Sequence, residues 1–205
     1  MNVRLYNIMT RRKTIPDEKV LETLFEVMMK TGPDGLTFAR AAKASGLAAA
    51  TLVQRYGNRE RMVEATLLQA WDRLDAETMA ADKEEDPTPE GAIKLLLRLM
   101  SPKTAERDAT DGLLLLREDI RNPRLRERGA AWGRALASAL GRRLSEDPRE
   151  AELLGWRMAA LWQGAHTWWA FDQTVPADRA IRQALEAWLH SYRLRAGRPW
   201  PWTLE

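Results

Sequence analysis

The chain has 205 residues, 45% of them hydrophobic and 30% charged, with a net charge of +3, which is the make-up of a globular protein able to bury a real core as one domain or two small ones. Cysteine is absent, which excludes a disulfide framework, thiolate catalysis and zinc-cysteine sites and fits a reducing compartment. Residues 1–14 lack the continuous apolar run of a secretory signal, and no stretch is long and apolar enough to span a bilayer, so the expected location is the cytoplasm. The small net charge hides an asymmetry. Residues 1–62 carry 11 Lys and Arg against 6 Asp and Glu, whereas the remainder carries 21 against 23, so a polyanion would meet the N-terminal part first.

Arg4, Arg11, Arg12 and Lys13 make residues 1–15 a basic arm. Two readings stand for it: a segment that reaches a nucleic-acid backbone or minor groove, or a solvated tail. Pro16, Asp17 and Glu18 then open a helix in which Val20, Leu21, Leu24, Phe25 and Met28 recur at helical spacing. The run Thr31-Gly32-Pro33 closes it. Thr37 is an N-cap, and Phe38, Ala41, Ala42 and Ser45 give the i, i+3, i+4, i+7 pattern of a short amphipathic helix. Gly46 supplies a permissive corner, Leu47 plugs it, and a second short helix starts near Ala48. Leu52 and Tyr56, four apart, face inward and leave Thr51, Val53, Gln54 and Arg55 on the other side. Asn58 caps the next helix, with Glu60 in its first turn where an anion suits the helix dipole. Two short helices meeting at a glycine corner are a helix-turn-helix, whose second helix fits a DNA major groove; the alternative is a helical hairpin that merely packs.

Residues 19–63 resemble, without a gap, the DNA-binding domain of the TetR-like (tetracycline-repressor-like) transcriptional regulators. The residues that carry the likeness are Leu24 and Phe25, Thr31-Gly32, Leu36-Thr37-Phe38, Ala42, Ser45-Gly46-Leu47, Thr51-Leu52, Tyr56 and Asn58-Arg59-Glu60. The resemblance implies an all-α protein: a three-helix DNA-binding domain over residues 16–62, then a helical effector-binding and dimerisation domain over residues 63–196. It implies a ligand-responsive regulator, a repressor by preference, that binds a palindromic operator as a homodimer. The chain departs from the family pattern at Ala48, Ala49 and Ala50, where a small polar or basic residue commonly opens the recognition helix, and at Val53, where a tyrosine is usual. Arg55 and Gln54 are therefore the candidate base readers, and Thr37, Ala48, Ala49, Thr51, Val53 and Arg59 complete the candidate DNA-binding set.

Past Asn58 a long helix carries Val63, Leu67, Leu68, Trp71 and Leu74, and the polar run from Asp82 through Pro87 and Pro89 marks a boundary. Helices follow near residues 90–100 and 108–121, then one holding Leu125, Trp132, Leu136 and Leu140, and finally helices near residues 148–171 and 177–194. The helix over 148–171 is apolar on more than one face, with Leu154, Met158, Leu161, Ala165 and Trp168 on one stripe and Trp162 and Trp169 on another, so it must be covered on two sides. In the family the last two long helices pair with their copies in a second subunit. Leu154, Met158, Leu161, Ala165, Ile181, Leu185 and Trp188 are accordingly the candidate dimer interface, against the alternative of a larger monomeric core.

Nothing points to catalysis. There are two histidines, His166 and His190, on separate helices, with no nucleophile elbow and no phosphate-binding glycine loop, and no metal or cofactor is expected. Nine tryptophans are many for this length, and six lie in the last three helices. Aromatic walls suit a flat or greasy effector, which makes Trp132, Trp162, His166 and Trp169 candidate pocket residues with Arg117 as a polar anchor; the alternative is that the rings fill core and interface. Residues 197–205, with Trp200 and Trp202 among prolines, either fold back over an apolar patch or form a mobile end. The rival function is a helical small-molecule-binding or interaction protein that has lost specific DNA binding.

Overall fold

The structure, a computed structural model, describes residues 15–100 and 105–195. The basic arm residues Arg4, Arg11, Arg12 and Lys13 and the tail residues Trp200 and Trp202 lie outside that range. The described residues form nine helices and no strand: α1 Asp17–Gly35, α2 Phe38–Ser45, α3 Ala49–Tyr56, α4 Arg59–Glu84, α5 Pro89–Arg98, α6 Ala105–Arg121, α7 Pro123–Gly141, α8 Pro148–Asp172 and α9 Ala177–Arg195.

Local chemistry sets most of these boundaries. Thr37, Asn58, Thr88, Asn122 and Asp147 stand at the N-caps of α2, α4, α5, α7 and α8, and each side-chain oxygen accepts a backbone N–H of the first turn. Each such cap contributes about 1 kcal/mol. Proline at the start of α5, α7 and α8 occupies the one helical position where a missing N–H costs nothing. Helix α1 breaks at Gly32, just before Pro33. Gly46 ends α2 in the left-handed region at φ 70°, which turns the chain into α3.

Two apolar cores follow. Val20, Leu24, Met28, Leu36, Leu52 and Met62 gather α1 to α4 into a head, and Leu125 at the start of α7 is buried in that same cluster. Leu95, Leu96, Leu136, Leu140, Met158, Ile181 and Leu185 form the core of the body. Trp71, midway along α4, packs against both. The charged run after α4 is clamped: the Arg143 guanidinium, 4% exposed, pairs with the Asp82 carboxylate. It also donates to the carbonyls of Asp82 (2.7 Å), Glu85 (3.0 Å) and Asp86 (3.0 Å). A buried cation with that many acceptors is compensated, and its loss would strand several carbonyls at once.

Helix α8 corrects the expected dimer face. It crosses α7 backbone to backbone: a Cβ on Gly155 would sit 2.0 Å from the Ala137 carbonyl oxygen, and one on Gly141 2.2 Å from that of Ala151. This close approach turns Leu154 and Met158 into the protomer's own core, along with Ile181 and Leu185 of α9, all four at 0–1% exposure. None of these four can face a partner. Leu161, Ala165 and Trp188 are half-buried at the margin of the same core. The apolar side chains of α8 and α9 that do reach the surface are Leu153, Trp156, Trp168, Phe171 and Leu194, with Trp168 and Phe171 at 73% and 81% exposure. The first expected stripe of α8 is thus split, with Leu154 and Met158 inward and Trp168 outward, while Trp162 of the second stripe is also buried.

Candidate nucleic-acid interface and helical cavity

The head holds α3 by two side chains. Leu52 is fully buried and Tyr56 nearly so, and the Tyr56 hydroxyl donates to Asp17 Oδ1 at 2.7 Å, tying the end of α3 to the start of α1. Burial first, then this carboxylate, push the phenol well above its ordinary range, so it stays a donor. At the corner, Ser45 Oγ donates to the Ala41 carbonyl at 2.7 Å and accepts from Leu47 N–H at 3.4 Å. With the inner face so anchored, Ala48, Ala49, Ala50, Val53 and Gln54 are exposed, Thr51 is half-buried, and Thr37 is exposed at the cap of α2.

Two of the expected DNA contacts are used inside the head. Arg55 Nη1 lies 3.3 Å from Asp17 Oδ1 and Nη2 donates to the Ile15 carbonyl at 3.2 Å, leaving its side chain 22% exposed. It is a strut between α3 and α1, not an outward-pointing base reader. Arg59 Nε donates to the Leu36 carbonyl at 3.1 Å and Nη2 to that of Pro33 at 2.5 Å, beside Asp34 Oδ1 at 3.4 Å. It staples the α1–α2 loop onto α4. The sequence places Arg55 on the recognition helix and Arg59 just beyond it but does not reveal the carbonyls that accept their hydrogen bonds. Among the described residues, exposed cations on the helices flanking α3 include Lys43 in the last turn of α2 and Arg61 in the first turn of α4, beside Gly57.

Of the five expected effector residues, Trp132 and Trp162 lie in the body core with Trp169 packed against it and His166 stacked on Trp169, while Arg117 stands apart. Trp132 Nε1 donates to Thr78 Oγ1 at 3.0 Å inside the body core. Trp162 is buried with no acceptor for its Nε1, and Trp169 donates to the Val175 carbonyl at 2.7 Å while stacking on His166 at 6.1 Å. Arg117 is exposed, pairs with Glu118, and borders a different hollow with Pro33, Asp34 and Arg59. A larger hollow of about 520 Å³ opens instead among α1, α4, α5 and α6, walled by Phe25, Trp71, Leu99, Leu115 and Asp119. Trp71 Nε1 donates to Asp119 Oδ1 there at 3.0 Å, and burial holds that carboxyl above its ordinary range. Residues 48 apart give no sequence signal that they meet.

This arrangement of a three-helix head with an outward second helix, carried on a helical body, is the fold of the TetR-family transcriptional regulators. The similarity is to solved structures. A transcriptional regulator from Rhodococcus sp. Rha1 superposes with a TM-score of 0.68 at 19% identity over 86% of this chain and 97% of that one. A TetR-like transcriptional regulator from the same source gives 0.62 at 13% identity, over 86% and 99%. A TetR-family regulator from Streptomyces coelicolor gives 0.63 at 18% identity, over 89% and 87%. No family model and no curated protein matches the sequence.

Proposed function

We propose that the protein is a DNA-binding transcriptional regulator that acts as a two-fold dimer, represses from a palindromic operator, and releases it when an effector occupies the body. The carrying observation is the orientation of α3: Leu52 and Tyr56 hold it from within, while Ala48, Ala49, Ala50, Val53 and Gln54 lie along its open side. Small side chains at the N-terminus let the backbone amides approach phosphate closely, and Gln54 can pair with an adenine edge while Val53 meets a thymine methyl. Lys43, Arg61 and the Thr37 hydroxyl flank that face as phosphate contacts. For the dimer, the exposed stripe of Leu153, Trp168, Phe171 and Leu194 on α8 and α9 is an apolar surface that a second copy would cover, and two-fold pairing would present two copies of α3 about 34 Å apart.

A second reading, an effector-binding protein without operator recognition, is favoured by one fact: Arg55, the only cation within α3, is committed to Asp17 and Ile15. Binding to a duplex from the promoter of its own gene, titrated with salt against a random duplex, separates the two. The regulator reading expects preference for the promoter and a steep loss of affinity with salt. Equal affinity for both duplexes supports the second.

A further inference from the structure

The hollow between head and body has a chemistry of its own. Its aromatic wall is fixed: the Trp71 ring lies against Trp132, with centroids 5.7 Å apart, and a Cβ on Gly129 would already be 3.2 Å from it. Charges around the hollow are answered with one exception. Arg73 sits 5.0 Å from the centre of the Phe25 ring and pairs with Glu77 at 3.6 Å. Arg98 pairs with Glu84 at 2.6 Å and Glu85 at 3.8 Å. Glu118, next in the chain, is within 4.0 Å of Arg117 and Arg121. Among the described residues Asp119 has no cation partner; its hydrogen bond comes from the neutral Trp71 indole. A half-buried carboxylate with a neutral donor, beside the apolar surfaces of Trp71, Leu99 and Leu115 and with the lining Arg73 and Arg98 engaged by other acids, is under-compensated, and the species that relieves it is a cation with a hydrophobic body.

We infer that this hollow is a binding site for an organic monocation, a protonated amine on an aromatic or aliphatic frame, with its charge on Asp119 and its frame against Trp71, Leu99 and Leu115. The location gives the site a regulatory consequence. Phe25 and Leu67 on one wall belong to the head, and on the other Leu99 stands at the C-cap of α5 and Leu115 and Asp119 belong to α6. A ligand touching both sides binds one head-body arrangement better than another, and duplex bound to the head must change its affinity by the same factor. Only this consequence rests on the regulator reading; the site itself does not.

The test is calorimetric titration of the full chain, without DNA, by three probes of one shape: 1-naphthylmethylammonium, 1-naphthylmethanol and 1-naphthylacetate. The amine is expected to bind at least about tenfold more tightly than the alcohol, a step of 1.4 kcal/mol, and the acetate not at all. Asp119→Asn, which still accepts from Trp71, should level amine and alcohol, and Leu99→Trp should fill the hollow and block both. The inference is overturned if no probe binds, if alcohol or acetate matches the amine, if Asp119→Asn keeps the amine preference, or if Leu99→Trp leaves binding intact. Amine binding by a protein that ignores its promoter would keep the site and remove the regulator.

Discussion

Replacing Arg59 by alanine separates a structural staple from a phosphate contact. The guanidinium makes two hydrogen bonds to backbone carbonyls, at 3.1 Å to Leu36 and 2.5 Å to Pro33, and its third neighbour, Asp34, is a solvated carboxylate at 95% exposure. A hydrogen bond to a charged group is worth about 1.5–3 kcal/mol when buried, while a solvated ion pair adds almost nothing. Arg59 is one-third exposed, and the Pro33 carbonyl keeps the Leu36 N–H as a second donor at 3.2 Å, so the two bonds are discounted. The expected loss is about 2 kcal/mol, or roughly 4–8 °C in Tm for a chain of this size. Thermal unfolding followed by circular dichroism measures it directly. A Tm within about 1 °C of wild type, accompanied by weaker duplex binding, would refute the staple and return Arg59 to the DNA surface.

Gly46→Ala meets no atom within 4 Å, so its cost is the φ of 70° alone, about 1 kcal/mol of stability by denaturant unfolding. A larger loss would mean that the corner is crowded. Trp168→Glu together with Phe171→Glu puts charge on the exposed α8 stripe; sedimentation should find a folded monomer, and an unchanged dimer would move the interface elsewhere. Asp119 titrates with the opposite sign from a salt-bridged acid. Burial raises its folded pKa, so the folded state holds the proton more readily, and stability falls as pH rises from the unfolded value through the folded one. Asp119→Asn should therefore raise Tm at pH 7, by on the order of a degree after solvent screening, and lose that advantage below about pH 3. A variant less stable at neutral pH would contradict the desolvated carboxylate.

The head was legible because its signals are local. Thr37 and Asn58 announce helix starts through their own side chains, Gly46 announces a corner through its backbone, and the Leu52 and Tyr56 pair states which side of α3 is inward. What escaped was long-range. The carbonyls that capture Arg55 and Arg59 lie 40, 26 and 23 residues away, and Trp71 meets Asp119 across 48. Helix α8 was misjudged for another reason: Leu154, Met158 and Trp168 were read as one stripe, yet Leu154 and Met158 turn inward while Trp168 is exposed. The small residues that decide the matter, Gly141 and Gly155, act by letting α7 approach, which periodicity does not register.

The central claim is that the exposed side of α3 is the surface that meets DNA. Ala49 tests it with one charge, since it stands exposed in the first turn of α3, clear of the arginine staples. A glutamate there suits the helix dipole, so Ala49→Glu should keep or slightly raise Tm. Against phosphate the same charge repels. Fluorescence anisotropy with the promoter duplex should record at least about a tenfold loss of affinity, equivalent to 1.4 kcal/mol. Wild-type affinity in a fully folded Ala49→Glu protein would contradict the account.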